Sequence, residues 1–167
     1  TRTRGYCLKK FFLIGLLVTS MVHASQKFEV QGHRGARWVR PENTLSAFRY
    51  ALEVGVDTLE LDLNVTKDNV LVVVHDPFLN PDICLDAAGK RLEKPLMIRA
   101  LTLKEVKTYD CGSLVNPRFP EQVVQPGERI PTFEEFLIWL NREKNPRAKK
   151  VLLNVETKSE PSHPEFT

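Results

Sequence analysis

The sequence predicts an α/β fold of parallel βα units closed into a barrel. Three observations predict it. Short apolar strands alternate with helix-forming segments. The stretch Asp57 to Val65 separates by parity, with Leu59, Leu61, Leu63 and Val65 on one face and Glu60, Asp62 and Asn64 on the other. The later stretch Val151 to Val155 repeats the pattern: Val151, Leu153 and Val155 share a face, and Glu156 and Lys158 lie on the other. An open sheet with helices on both faces would bury the acidic row under a helix at a large desolvation cost. A closed barrel turns the apolar row toward its helices and the acidic row toward the interior mouth, where βα barrels keep their chemistry.

The elements follow in chain order. Lys27 to Gly32 is a short strand ending in Gly. Thr44 to Val54 is an amphipathic helix, with Leu45, Phe48, Ala51 and Leu52 on one stripe. Asn43 or Thr44 caps its start and Gly55 ends it. Asp57 to Val65 is the second strand. Val70 to Val74 is the third, and its β-branched run predicts burial on both faces. Capping boxes of the form T-x-x-E at Thr102–Glu105 and Thr132–Glu135 start two further helices. Val151 to Val155 is the last strand. Between Asp76 and Pro131 runs a long Pro- and Gly-containing stretch with one short helix signal, and connections of that length are usually functional or inserted elements.

Composition narrows the function classes. A length of 167 residues suits one domain with a buried core, and 42% hydrophobic with 27% charged residues argues against disorder across the chain. The net charge of +3 is carried by Arg2, Arg4, Lys9 and Lys10. The body is close to neutral and offers no electrostatic footprint for nucleic acid.

Those basic residues belong to an export signal. Arg2 to Lys10 is the positive region, Phe11 to Val18 is an unbroken apolar run, and Val22 and Ala24 occupy the positions of a small-residue cleavage site. Residues 1–24 are therefore expected to be a signal peptide, with the mature chain starting near Ser25 and exported to the periplasm or secreted. The apolar run is short for a bilayer span, so no stable membrane insertion is expected after cleavage. Cys7 precedes the apolar run, which argues against a lipoprotein. The first residue is Thr, so the translational start is expected upstream. Cys84 and Cys111 remain in an oxidising space, where a disulfide or two free thiols are both open readings. Neither lies in a zinc-binding spacing.

Four short segments carry chemistry, each expected at a strand end. They are His33-Arg34-Gly35, Glu60-Leu61-Asp62, His75-Asp76 and Glu156-Thr157-Lys158. Glu60, Asp62 and Glu156 form a hard oxygen set that suits Ca²⁺ or Mg²⁺ and does not choose between them. His33 and His75 beside such a cation and Arg34 suggest acid–base chemistry on an anion, and a phosphate ester fits.

The stretch His33 to Pro77 resembles the glycerophosphodiester phosphodiesterases. The matching elements are HRG, PENT, the AF and A of the first helix, the G-x-D before the second strand, E-x-D, TKD and VHDP. IPTFEEFL, from Ile130 to Leu137, and the E-x-K from Glu156 to Lys158 also match. The resemblance implies a (βα)8 TIM barrel with metal ligands Glu60, Asp62 and Glu156 and a catalytic pair His33 and His75. It implies that Arg34 binds the scissile phosphate, that Lys158 lies beside it, and that Glu42 and Asn43 shape the site. The implied reaction is metal-dependent hydrolysis of a small glycerophosphodiester to glycerol 3-phosphate and an alcohol. The glycerol 2-hydroxyl attacks phosphorus, and water then opens a cyclic phosphate.

A complete barrel of this kind takes about 250 residues. Residues 25–167 are thus expected to hold only about the N-terminal half of the phosphodiesterase domain, as a fragment of a longer product. Two alternatives stay open. One is a lysophospholipase D type enzyme with the same residues and a different leaving group. The other is an inactive scaffold, whose usual sign is a lost histidine or acid. Neither the head group, the oligomeric state, nor the division of labour between the histidines follows from the sequence.

Overall fold

The computed structural model describes residues 28–159. The expected signal peptide, 1–24, lies outside the described residues. Strand β1, Gln31–Gly32, pairs in parallel with β2, Thr58–Val65. Strand β6, Leu152–Thr157, pairs in parallel with β2 from Thr58 to Leu63. Three parallel strands linked by helical crossovers are the predicted βα arrangement.

Helix α1, Leu45–Val54, connects β1 to β2. Of the two candidate caps, Thr44 does the capping: its hydroxyl accepts from the Ala47 N–H at 3.2 Å. Gly55 ends the helix at φ 97°, and its N–H donates to the Ala51 carbonyl. Helix α3, Phe133–Arg142, opens with the predicted capping box of Thr132 and Glu135. The apolar row of β2 packs under these helices. Leu59, Leu61 and Leu63 share one core with Phe48, Ala51, Leu52 and Phe136. The Phe48 and Phe136 rings meet edge to face at 4.7 Å. The parity reading of β2 therefore holds, and its acidic row faces away from the helices.

Strand β3, Leu71–Val73, corrects the reading of the Val70 to Val74 run. It is antiparallel to β2, returning through a tight turn at 66–69 and pairing Leu63 with Val73. Leu71 is exposed, so the run is not buried on both faces. A turn of four residues leaves no room for the helical crossover that a parallel neighbour requires.

The stretch after β3 is an excursion with its own core. It holds the β4–β5 pair, Phe78–Leu79 with Leu96–Met97, and helix α2, Leu103–Val106, which starts at its predicted capping box. Leu79, Ile98, Val106 and Ile130 cluster around Cys84 and Cys111. The two cysteines form a disulfide, which settles the open pairing. Asp110 beside it accepts from the N–H groups of Gly112, Ser113 and Gly127. No helix among the described residues is long and apolar enough to cross a membrane.

The disulfide closes a loop of 27 residues. Opening it should lower the unfolding free energy by about 3 kcal/mol. Urea unfolding with and without a thiol reductant reads this. An unchanged midpoint would show that the excursion is held by its apolar core alone.

Candidate functional site

The site grows from the polar face of β2. Glu60 and Asp62 are two residues apart and share that face. In the β2–β6 register Asp62 stands beside Glu156. These three carboxylates bring oxygens within 4.8 Å of one another, with Glu60 and Asp62 buried and Glu156 exposed. Sequence reasoning expected the acids at strand ends. Glu60 and Asp62 instead lie in the middle of β2, which runs on to Val65.

The loop after β1 wraps around these acids. His33 Nε2 lies 3.9 Å from a Glu60 oxygen. The Arg34 N–H donates to the same Glu60 carboxylate at 2.5 Å. Arg34 Nη1 bonds Glu42 at 2.8 Å, and its Nε lies 3.5 Å from Asp62. Asn43 Nδ2 donates to Asp62 Oδ2 at 3.0 Å. Arg34 and Asn43 both take left-handed backbone, at φ 51° and 55°, which is strained for a non-glycine residue. The strain is held by the Asn43 N–H, which donates to the Arg34 carbonyl. Gly35 permits the whole loop. Its φ is 79°, and a Cβ there would stand 2.8 Å from the Ala47 carbonyl carbon of α1.

His75 and Lys158 complete the cluster. His75 follows β3, and its Nδ1 lies 2.8 Å from Asp76 Oδ1. Asp76 in turn accepts from Asn80 Nδ2 at 3.1 Å. Lys158 Nζ is 2.8 Å from Asp62 Oδ1 and 2.5 Å from Glu156 Oε2. Lys158 and Arg34 thus approach opposite oxygens of Asp62.

Burial and neighbouring charge act on these groups in different directions. Burial raises the Glu60 pKa above the ordinary carboxylate value, and Asp62 and Glu156 add to the rise. Burial alone would raise Asp62 too, but the bonds from Asn43 and Lys158 outweigh it and hold Asp62 below its ordinary value. Burial works against the Lys158 charge, yet Asp62 and Glu156 outweigh it and raise the lysine. His33 is lowered by burial and then by Arg37 and Arg34, so its neutral form is favoured.

The donor set fits a hard divalent cation. All three ligand groups are carboxylates. Asp62 Oδ1 is buried and faces the Lys158 ammonium at 2.8 Å, so a positive charge already stands where a cation would be expected.

The sequence pattern of the glycerophosphoryl diester phosphodiesterase family matches residues 33–166. The chain belongs to that family. A glycerophosphodiester phosphodiesterase of Caldanaerobacter subterraneus subsp. tengcongensis is 36% identical over 130 residues, covering 78% of this chain and 45% of the relative. A candidate glycerophosphoryl diester phosphodiesterase from Silicibacter pomeroyi superposes with a TM-score of 0.75 at 34% identity, covering 82% of this chain and 47% of that one. An Oleispira antarctica phosphodiesterase solved with its product sn-glycerol-3-phosphate superposes with a TM-score of 0.60 at 26% identity, covering 84% and 48%. The chain spans about half the length of the curated relatives it matches. These neighbours also bear out the TIM-barrel fold class, of which the chain forms part.

Every predicted site residue of this phosphodiesterase-family chain enters the cluster or its rim. Asp76 was named beside His75 but given no role, and Asn80, which bonds Asp76, was missed. Their signal was present in the adjacency of His and Asp after a strand. Glu42 and Asn43 read mainly as a motif shaping the site, yet they contact Arg34 and Asp62 directly.

Gly35→Ala should lower the unfolding free energy by about 1–3 kcal/mol, since it adds both backbone strain and a clash. Gly89→Ala is the control: its φ is 75° with nothing within 4 Å. Chemical denaturation should show the larger loss at Gly35. Equal losses would mean that the approach to α1 is not tight.

Proposed function

We propose that the protein carrying this chain hydrolyses glycerophosphodiesters to glycerol 3-phosphate and an alcohol, using a divalent cation and two histidines. The observation that carries this is the convergence of Glu60, Asp62 and Glu156 within 4.8 Å, flanked by Arg34 and His33. Glu60, Asp62 and Glu156 would hold the cation. When bound there it would polarise a phosphoryl oxygen as a Lewis acid. Arg34 is braced by Glu42 and Asp62, so its guanidinium meets a phosphate oxygen without reorganising. Asp76 fixes Nδ1 of His75 and leaves Nε2 to exchange a proton with substrate.

In this reading one imidazole takes the proton of the glycerol 2-hydroxyl as its oxygen bonds to phosphorus. The other gives a proton to the alcohol oxygen as its bond to phosphorus breaks. Water then opens the cyclic phosphate with the two roles exchanged. None of the residues that the chemistry needs is missing, which favours an enzyme over an inert scaffold. Export is part of the same proposal. The Cys84–Cys111 disulfide supports it, because such bonds persist in oxidising compartments.

The test uses the complete reading frame without residues 1–24. Glycerol 3-phosphate release from glycerophosphocholine should stop on chelation and return with Ca²⁺ or Mg²⁺. His75→Ala should lower kcat by about 10²–10⁴ while leaving the calorimetric cation affinity largely intact. Glu60→Gln should weaken that affinity, since a ligand charge is lost. Release of choline from lysophospholipids alone would move the assignment to the lysophospholipase D reading. No turnover of either substrate by a folded, cation-bound protein would overturn the proposal.

A further inference from the structure

The far end of the excursion grips the loop after β1. Gln122 stands there and is 6% exposed. Both ends of its side-chain amide are used. Nε2 donates to the carbonyls of Arg37 and Arg40, the second at 3.1 Å. Oε1 accepts from the Asn116 N–H at 3.1 Å. Two carbonyls on one side and an N–H on the other fix which way the amide points, and a carboxamide is the uncharged side chain that offers that set. The next residue adds a backbone bond: the Val123 N–H donates to the Val39 carbonyl at 3.0 Å. Among the described residues nothing else bonds the carbonyls of Arg37 and Arg40.

We infer that Gln122 is a positioning residue for His33 and Arg34, acting on them through the backbone of the loop that carries both. The inference rests on the phosphodiesterase reading above. The path is short. The Arg37 N–H donates to the His33 carbonyl, and the Asn43 N–H donates to the Arg34 carbonyl. The inner part of the loop is tied to the acids, through Arg34 to Glu60 and through Asn43 to Asp62. The outer part, from Arg37 to Arg40, is tied to Gln122 and Val123. Arg34 and Asn43 hold left-handed backbone inside this loop, and such residues persist only where the surroundings over-determine them. Without the Gln122 amide, two part-buried carbonyls lose their donor. The loop then relaxes toward ordinary backbone and carries His33 and Arg34 off the reacting geometry. A displacement of about 1 Å is enough to cost about 100-fold in rate.

The test follows glycerol 3-phosphate release from glycerophosphocholine on the complete, cation-loaded protein. Gln122→Met removes the amide at nearly constant length. Gln122→Glu keeps an acceptor for the Asn116 N–H and removes both donors. Val106→Ala is the control, since Val106 is fully buried in the apolar core of the same excursion. Each folded Gln122 variant should lose about tenfold to 100-fold in kcat. The calorimetric cation affinity should hold within about twofold, because the ligand carboxylates stand on β2 and β6 and not on the loop. Val106→Ala should lower the unfolding midpoint and leave kcat unchanged. An unchanged kcat in either folded Gln122 variant, an equal kcat loss in Val106→Ala, or failure of both Gln122 variants to fold would reduce Gln122 to a residue of stability and overturn the inference. No release by the unaltered protein would overturn the phosphodiesterase reading and this inference with it.

Discussion

Mutual repulsion among Glu60, Asp62 and Glu156 is the constraint around which the rest of the structure is arranged. Two carboxylate charges within 4.8 Å oppose each other by roughly 3 kcal/mol at an effective dielectric near 20. That is a sizeable part of the stability of an ordinary domain. Glu156 is exposed and partly screened, but Glu60 and Asp62 are not. Their surroundings therefore supply compensation: a backbone N–H from Arg34, the Asn43 amide, and the charges of Arg34 and Lys158. The compensation favours Asp62: Glu60 stays raised, by burial first and then by Asp62 and Glu156. A divalent cation between them would remove the remaining imbalance.

The compensation has a conformational consequence. To aim its N–H and its guanidinium at two different acids, Arg34 must leave the ordinary backbone regions. Asn43 does the same a few residues later. Gly35 between them lets the loop lie against α1. The packing of α1 on β2 thus fixes the loop, and the loop fixes the Arg34 side chain. Leu59, Leu61 and Leu63 hold one face of β2 rigid so that Glu60 and Asp62 keep register on the other.

Period-two alternation made much of this legible. It separated Leu61 from Asp62 and assigned each to the correct face. The capping boxes placed α2 and α3, and Gly55 placed the end of α1. The direction of β3 was not legible, because a run of valines states burial and strand propensity but not orientation. Only the shortness of the Thr66–Asn69 turn decides that. The pairing of Cys84 with Cys111 was likewise hidden, since separation in sequence says nothing of separation in space. The contact of Asn43 with Asp62 was masked by its position at a helix start, where an asparagine already has a local explanation.

The antiparallel turn of β3 has its own use. A parallel strand would have delivered its C-terminal end only after a crossover helix. The hairpin instead brings His75 straight back beside β2, where the Val74 N–H donates to the Asp62 carbonyl and Asn64 holds the Val74 carbonyl. The chain must then leave the sheet, and the excursion is that departure. Cys84, Cys111, Asp76 and Asn80 line the same small cavity beside His75. The Asp76–Asn80 pair therefore braces one histidine from the excursion, while the strained loop carries the other beside α1. His33 and His75 are thus supported from separate parts of the chain, the first on the loop packed against α1 and the second by Asp76 and Asn80.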